Sequence, residues 1–516
     1  MSRSLLRSTA VVSSMTFISR VLGFLRDMII ARSFGAGMAT DAFFVAFRIP
    51  NFLRRLFAEG AFSLAFVPVF AEYKQRHPDE LRELVARVTG TLMVILFVVT
   101  ALGVLAAPLL VWVFAPGFTQ NAEQLELTAQ LLRLTFPYLL FISLTACAGG
   151  MLNSFGQFAV PALTPTLLNL CLIGAALWLA PYFAQPVTAL AWGVLVAGMA
   201  QLALQLPFLY RLGLLCRPRW GWRYPGVQRI LKLMIPTLFG SSVAQINLLF
   251  DTLLASLLIS GSVSWLYYSD RLLEFPLGVF GVALATVILP KLSREHAATS
   301  PVAFSRTLDW ALRWALLIGL PAAVALAVLA GPMLTTLFQY GAFTAYDVRM
   351  AQQSLIAFAL GLQAFILIKV LAPGFYARQD TRTPVKIGII ALVANMILNV
   401  LLIWPLAHAG LALATTLSAM LNAGLLYRHL RRAEIYRPEP GWGRFLLQII
   451  AASLVMGGLL WLLAGPLDWW LASGAWARVR WLMVLIAGGL VSYALILLAC
   501  GLRPRQLLYV EPNLQP

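Results

Sequence analysis

Residues 88–115 have the sequence VTGTLMVILFVVTALGVLAAPLLVWVFA, which includes no Asp, Glu, Lys or Arg. This stretch exceeds the roughly 20 residues that an α-helix needs to cross a bilayer. Similar stretches recur through the 516 residues, of which 60% are hydrophobic and 11% are charged. The mean hydropathy is +0.84. This composition excludes a soluble enzyme, a disordered chain and a nucleic-acid-binding protein, and it predicts a polytopic membrane protein.

Fourteen stretches are predicted to cross the membrane, which gives an all-α fold with fourteen transmembrane helices. Their predicted limits are 8–33, 40–71, 86–115, 125–152, 158–181, 187–213, 229–259, 264–291, 306–337, 347–376, 384–405, 408–430, 443–465 and 477–500. The first stretch is not expected to be a cleaved signal peptide, because Arg20 and Arg26 interrupt its apolar run.

The basic residues predict the orientation of these spans, since cytoplasmic loops of membrane proteins are enriched in Lys and Arg. The chain has 38 Lys and Arg against 20 Asp and Glu. If the N-terminus is cytoplasmic, the basic loops all fall on that side, whereas opposite loops such as 115–123 and 338–345 contain no Lys or Arg. Only Arg478 and Arg480 break the pattern. Both termini are therefore predicted to be cytoplasmic.

An internal repeat predicts the arrangement of the spans. Residues 149–161 resemble residues 373–384, and residues 59–68 resemble residues 281–290, at a spacing of about 222 residues. Two parallel six-helix bundles around a central cavity, followed by two further helices, are typical of transporters that bind substrate between the two repeats. The predicted domains are an N-terminal bundle at 1–220, a C-terminal bundle at 221–438, and two additional helices at 439–516.

Charged residues inside the first, second and eighth spans are the strongest functional signal, because a charge at mid-membrane is unfavourable unless it meets water or a partner. They are Arg20, Arg26 and Asp27; Asp41, Arg48, Arg54, Arg55 and Glu59; and Asp270, Arg271 and Glu274. Arginine presents two parallel donors to a phosphate and keeps its charge. Several buried arginines predict a wet, electropositive cavity for a phosphorylated substrate. The alternative is that these charges pair in structural salt bridges.

Other kinds of site have little support in the sequence. The four cysteines and four histidines lack metal-ligand spacing, and no GxxxxGK[ST] motif for nucleotide binding occurs. No nucleophile or acid–base constellation is recognisable. We therefore expect neither an enzyme nor a bound metal or cofactor, and we expect transport energy to come from an ion gradient, such as that of Na⁺, or from the membrane potential.

Four segments carry a resemblance to a known family. They are SRVLGFLRD at 19–27, FGAGMATDAFFVAFRIPNFLRRLFAEGAF at 34–62, YYSDRLLEFP at 267–276 and LAPGFYARQD at 371–380. The chain resembles, over its whole length, the MurJ (MviN) family of lipid II flippases, within the multidrug/oligosaccharidyl-lipid/polysaccharide exporter superfamily. The resemblance implies a multi-pass protein of the bacterial cytoplasmic membrane that moves undecaprenyl-diphosphate-linked peptidoglycan precursor to the periplasmic leaflet by alternating access.

The resemblance also implies which residues bind substrate. The arginines of the cavity are matched by Arg20, Arg26, Arg54 and Arg271, the acidic positions by Asp41 and Glu59, and the lining positions by Ala31 and Ser264. Residues 439–516 resemble the family's lipid-facing groove for the polyprenyl tail. Lipid II, membrane lipids and cell-wall synthesis proteins are the partners that follow.

A weaker resemblance concerns a sodium site of some family members. Asp251, Asn395, Asn399 and Thr415 match its positions, and oxygen ligands suit a hard cation. This sequence has Asn399 where an acidic residue occurs in such sites. The alternative interpretation is hydrogen bonding among buried polar groups of neighbouring helices.

Three other functions stay open from the sequence. The first is a flippase for another polyprenyl-diphosphate-linked glycan, and the second is a cation-coupled exporter of cationic drugs, which the basic balance of the spans disfavours. The third is a membrane scaffold for cell-wall enzymes, for which the basic loops at 211–232 and 428–444 would supply docking surfaces.

Overall fold

A computed structural model describes residues 3–56 and 62–502, with side chains described for 13–56, 62–235 and 245–502. Every regular element within these ranges is helical, as the apolar sequence predicts. Helices satisfy each backbone donor and acceptor within a single segment, and hydrocarbon offers no water to replace those hydrogen bonds. The all-α fold class is therefore confirmed.

Nineteen helices of the α type occur in the described residues. They are α1 Arg3–Phe34, α2 Met38–Leu53, α3 Ser63–Arg76, α4 Leu81–Leu105, α5 Ala107–Phe114, α6 Ala122–Thr135, α7 Tyr138–Ser154, α8 Ala159–Gly174, α9 Thr188–Arg211, α10 Pro225–Ser256, α11 Ser262–Pro276, α12 Val282–Ala297, α13 Pro301–Val328, α14 Ala330–Phe338, α15 Ala345–Tyr376, α16 Arg382–Arg432, α17 Trp442–Ala464, α18 Leu467–Ala472 and α19 Ala475–Ala499.

Each of the fourteen predicted spans coincides with one or two of these helices. The predicted spans 384–405 and 408–430 both fall in α16, which is kinked where Ala407 has a φ of 48°. Within the described ranges, ten helical segments are long and apolar enough to cross a membrane. Those ten omit α1, the α2–α3 pair and α10, and they count the kinked α16 once. The number of fourteen crossings therefore stays a prediction.

The internal repeat is visible in how the helices end. Between α7 and α8, Gly156 has a φ of 76°, and between α15 and α16, Gln379 has a φ of 62°. In each copy the amide of the next residue donates to a carbonyl in the last turn of the preceding helix, over 2.9 and 3.1 Å. A left-handed residue with this hydrogen bond is a common helix terminator. The same stop signal therefore occurs at equivalent positions of the two halves.

The beginnings of helices repeat as well. The side chain of Asn121 accepts hydrogen bonds from the first turn of α6, and Thr344 does the same for α15, where Asp347 completes a capping box. These side chains satisfy amides that the helix itself leaves without partners. The short helices α5 and α14 precede the two caps in the same order. The predicted duplication of the chain is thus reproduced in its local structure.

The chain forms two compact units. Unit 1 contains Met1–Ser264 and Gly341–Phe343, and unit 2 contains Trp265–Tyr340 and Thr344–Pro516. Unit 1 includes α10, which packs against α2, α3, α4 and α5. The sequence repeat assigns α10 to the second bundle instead. The division into bundles at 220 and 438 stays a prediction, and the compact units have a different boundary.

The core of unit 1 joins α3, α4, α7 and the start of α10. Phe66 and Phe70 of α3 are fully buried, with ring centroids 5.4 Å apart, and Met151 of α7 and Ile230 of α10 belong to the same cluster. Tilted aromatic pairs of this kind stabilise a core beyond the area they bury. This cluster fixes α3 against α10 in unit 1.

In unit 1, loops that are predicted to lie on opposite sides of the membrane contact different helix ends. Arg219, in the basic loop before α10, lies 3.4 Å from Glu83 at the start of α4. Gly117, in a loop without Lys or Arg, donates to the hydroxyl of Ser256 at the end of α10, over 3.2 Å. Loops predicted to share a side therefore meet each other, as the charge pattern requires.

In unit 2, the helices of the predicted third domain pack on the second bundle. α17 packs against α13 and α19, and α19 also packs against α14. Ile449 and Met456 of α17 and Leu485 of α19 are buried in one cluster with Leu317 of α13. The predicted groove for a polyprenyl tail on these helices stays a prediction.

Arg478, which breaks the charge pattern of the loops, is buried in unit 2. It is 6% exposed, and its guanidinium donates to the carbonyls of Thr335 and Gln339 over 3.3 Å and of Leu471 over 3.0 Å. The first two carbonyls belong to the end of α14, where a cation is favoured by the helix dipole. Arg478 is therefore a helix-capping residue and does not contradict the predicted orientation.

We expect Arg478→Leu to destabilise the protein by about 2 kcal/mol or more, because three carbonyls lose a charged donor in a buried place. Arg480→Leu is the matched control, since Arg480 is exposed two residues away. The measurement is the thermal unfolding of both purified variants in the same detergent. Equal melting temperatures for the two variants would contradict the capping role.

Candidate functional site

The site residues of unit 1 centre on Arg26 in α1, which is 7% exposed. Its Nε and Nη2 donate to Oδ1 of Asp27 over 2.9 and 2.7 Å, and its Nη1 donates to Oδ1 of Asn169 in α8 over 3.0 Å. Asn169 in turn donates to the carbonyl of Ser19, over 2.9 Å. Asn169 therefore holds α8 against α1 and fixes the plane of the Arg26 guanidinium.

The structural salt bridge that the sequence left open as an alternative does form at Arg26. Asp27 is 1% exposed, so its carboxylate balances the buried guanidinium. Removing one partner of such a pair leaves a buried charge, which is strongly destabilising. A pairing of this kind also holds the arginine in one orientation, which a site for a phosphate requires.

The other predicted arginines of unit 1 are more accessible. Arg20 is exposed on α1, and it has no acidic partner among the described residues. Arg54 is half-buried just after α2, and its Nε donates to Oδ1 of Asn51 over 2.8 Å. Glu59 lies outside the described residues. The predicted substrate roles of these three residues stay predictions.

Asp41 of α2 is a buried capping residue for the start of α11. Its Oδ2 accepts from the amide of Gly261 over 2.7 Å, and its Oδ1 accepts from the amide and the hydroxyl of Ser264 over 2.8 and 2.5 Å. All three donors lie at the N-terminus of α11, where a carboxylate is favoured by the helix dipole. Asp41 thus connects two helix ends within unit 1.

The predicted lining residues are enclosed in this conformation. Ala31 and Ser264 are both 0% exposed. Ser264 is one of the partners of Asp41, so a substrate would reach it only after that hydrogen bond opened. Their lining role stays a prediction.

In unit 2, Arg271 of α11 is held by two neighbours on its own helix. Its Nη1 lies 2.7 Å from Oε2 of Glu274, its Nη2 donates to the hydroxyl of Tyr267 over 3.1 Å, and the guanidinium lies 5.0 Å from the centroid of the Tyr267 ring. The Arg271 side chain is 33% exposed, so one part of it is available to a ligand. A cation over an aromatic face is stabilised in a fixed orientation.

The residues of the predicted sodium site differ in their surroundings. In unit 1, Asp251 lies 3.5 Å from the Nδ2 atom of Asn247. In unit 2, Asn395 and Asn399 are fully buried, and the hydroxyl of Thr415 donates to the carbonyl of Leu411 in its own helix, over 3.1 Å. Among the described residues no cluster of three His, Cys, Asp or Glu that could hold a metal ion occurs. Sodium binding stays a prediction.

The predicted site omits Asp27 and Asn169, which the structure places directly against Arg26. Asp27 is one of the charges inside the first span and directly follows Arg26, so the sequence already indicated that the two could pair. Asn169 is an amide in an otherwise apolar run that follows the first copy of the repeat. A polar residue in such a run indicates a buried hydrogen bond but not its partner.

We expect Asp41→Ala to destabilise the protein by about 3 kcal/mol, because two buried amides at the start of α11 lose their acceptor. Ser264→Ala removes one hydrogen bond and is expected to change stability by about 1 kcal/mol. Thermal unfolding of the two purified variants measures the difference. If Ser264→Ala were as destabilising as Asp41→Ala, the capping of α11 by the carboxylate would be refuted.

Comparison with known proteins identifies the family. Residues 30–477 match the family model described as lipid II flippase MurJ. The chain belongs to the MurJ lipid II flippase family. It is 50% identical to a probable lipid II flippase MurJ of Vibrio cholerae over 98% of each chain. It is 44% identical to the lipid II flippase MurJ of Burkholderia cenocepacia, with 95% of this chain and 96% of the relative covered.

Solved structures agree with this family assignment. A lipid II flippase MurJ in an inward closed conformation matches with a TM-score of 0.79 and 27% identity, covering 94% of this chain and 98% of the other. A multidrug resistance transporter of the MATE family, described as a member of the MOP superfamily, matches with a TM-score of 0.66 at 14% identity, covering 83% of this chain and 98% of the other. The second match shows a shared fold alone. The MurJ family, which the sequence motifs predict, is thereby confirmed.

Proposed function

We propose that the chain is a lipid II flippase, which moves the lipid-linked peptidoglycan precursor from the cytoplasmic to the periplasmic leaflet of the bacterial inner membrane. The observation that carries the proposal is membership of the MurJ family over nearly the whole chain. The many apolar helices support a location in the membrane. The role is transport, and it serves peptidoglycan synthesis and hence cell shape.

The chemistry of the arginines supports a diphosphate-bearing substrate. Arg26 is fixed by Asp27 and Asn169, and Arg271 is fixed by Glu274 and Tyr267. A guanidinium held in one plane offers parallel donors to phosphate oxygens with little loss of conformational entropy. We assign diphosphate binding to Arg26 and Arg271, with Arg20 and Arg54 adding positive potential. We assign the acidic position of the site to Asp41 and the lining positions to Ser264 and Ala31.

We expect Arg26→Ala and Arg271→Ala each to reduce lipid II translocation at least about tenfold, because a charge-assisted hydrogen bond to phosphate is lost. Lys at either position should restore part of the rate, since charge remains but the planar fork is lost. Rescue of growth in a flippase-depleted strain is the measurement, with membrane insertion checked by immunoblot. Arg480→Ala, at an exposed position, is the control.

Full rescue by both alanine variants would contradict the assignment. The same variants test the scaffold alternative, because a scaffold for cell-wall enzymes needs no buried arginine. The drug-exporter alternative is tested separately, because such an exporter would transport lipophilic cations. Competition by another polyprenyl-diphosphate-linked glycan in a translocation assay tests whether the substrate is broader than lipid II.

The orientation of the chain in the membrane follows from its loops. We infer that both termini are cytoplasmic, because the basic loops before α4 and α10 then face the cytoplasm. Contacts such as that between Arg219 and Glu83 support this by bringing two predicted cytoplasmic segments together. Lipid II then enters from the side on which it is made.

We infer that the membrane potential supplies the energy and that Na⁺ binding is dispensable. The predicted sodium ligands include one carboxylate, Asp251, and the potential acts on each charge that crosses the membrane with about 2.3 kcal/mol per 100 mV. The arginine-rich site and the anionic substrate both carry such charges.

We expect collapse of the membrane potential to slow lipid II transport severalfold in sealed vesicles, because the charged steps lose their driving force. Replacing Na⁺ with K⁺ at constant potential should leave the rate unchanged. Asp251→Asn should behave as the unaltered protein does under both conditions. A rate that depends on Na⁺ and not on the potential would refute this inference.

A further inference from the structure

A cavity of about 470 Å³ lies in unit 1, between α4, α7 and α10. Pockets for organic ligands have volumes of about 300–1,000 Å³. The described side chains around it are almost all apolar, with Leu96, Leu139 and Ile230 buried on its floor. Val99 and Ile235 are 37% and 57% exposed at its rim. The cavity therefore opens on the surface that faces lipid.

The length of the cavity corresponds to one leaflet of a bilayer. Along α4 the lining runs from Val88 to Val99, a rise of about 16 Å, and half of a typical hydrocarbon core is about 15 Å. Trp222, at the loop end of the cavity, stacks on Trp220 with ring centroids 6.1 Å apart. Tryptophan is enriched at the level of lipid headgroups. The cavity is thus long enough to extend from the membrane interface to the bilayer midplane.

The loop that carries Trp222 is fastened to α4. The amide of Arg219 donates to the carbonyl of Ala86 over 2.9 Å, and the amide of Gly221 donates to the hydroxyl of Thr91 over 3.0 Å. A side chain at Gly90 would collide with the backbone of Arg219, at 2.3 Å, so the close approach requires glycine there. Trp222 is therefore held in place at the end of the cavity.

Two exposed cations accompany the cavity. Arg223 follows Trp222 at the loop end, and Lys232 lies two turns into α10, after the lining residue Leu231. A lysine side chain is long enough to carry its charge from there toward the interface. Among the described side chains, no carboxylate forms an ion pair with either of them. An exposed Lys or Arg at the membrane surface attracts anionic lipid headgroups.

We propose that this cavity binds one acyl chain of an anionic glycerophospholipid, whose phosphate lies between Arg223 and Lys232. The apolar lining and the depth of one leaflet suit a single acyl chain. The two cations select a lipid with a negative headgroup. The bound lipid joins α4 to α10 within unit 1. The lining of the cavity includes none of the arginines assigned to lipid II, and the proposal does not depend on the flippase function.

Ser143 supplies a sharp test of the cavity. It lies on the cavity wall, is 2% exposed, and its hydroxyl has no hydrogen-bond partner among the described residues. Ser143→Phe places a ring where the acyl chain would lie and removes an unsatisfied polar group, so the protein should fold. Ser143→Ala removes the same hydroxyl without filling the space and is the matched control.

The experiment is native mass spectrometry of the full chain with phosphatidylglycerol and phosphatidylcholine of identical acyl chains. We expect one retained phosphatidylglycerol for the unaltered protein and for Ser143→Ala, and loss of that lipid in Ser143→Phe. The double variant Arg223→Gln, Lys232→Gln should bind phosphatidylglycerol about tenfold more weakly. Phosphatidylcholine should bind comparably to the double variant and to the unaltered protein.

Three results would overturn the proposal. One is equal retention of phosphatidylglycerol in Ser143→Phe and Ser143→Ala, and another is equal affinity of the unaltered protein for the two lipids. The third is displacement of phosphatidylglycerol by a polyprenyl diphosphate in the unaltered protein but not in Ser143→Phe, which would make the cavity part of the substrate path. If Ser143→Phe failed to fold, the charge variant would decide alone.

Discussion

The structure depends on the high free energy of a charge or an unpaired polar group in hydrocarbon. Every charged residue inside a span must find a partner, reach water or shift to an interface. The chain meets this constraint differently at each position. Arg26 is paired with Asp27 and Asn169, Arg478 is surrounded by carbonyls at the end of α14, and Asp41 caps the start of α11.

The surroundings of each charged side chain distinguish charges with a structural role from charges that a substrate can reach. The donors of Arg478 serve carbonyl oxygens of its own unit, and both oxygens of Asp41 accept from one helix end. Arg271 keeps a third of its side chain exposed although Glu274 and Tyr267 hold it. Orientation by a partner, combined with access from outside, is what a site for an anionic headgroup requires.

Duplication of the chain explains why the helix ends recur, and tertiary packing explains why the compact units do not follow the repeat. The left-handed residues at 156 and 379 and the caps at 121 and 344 are local signals, which each copy retained. The placement of α10 is decided by its contacts with α3 and α4, whose aromatic and aliphatic side chains bury its first turns.

By itself the sequence determined the all-α class, the positions of the long apolar helices along the chain and the repeat, because hydropathy and helix-ending residues are local properties. The motifs that include Arg26 and Arg271 also indicated the family. Only the tertiary structure decided which side chains form hydrogen bonds with these charged residues. Asn169 is 143 positions from Arg26 along the chain, and Ser264 is 223 positions from Asp41. Contacts at such separations depend on how whole helices pack, which no local pattern of residues specifies.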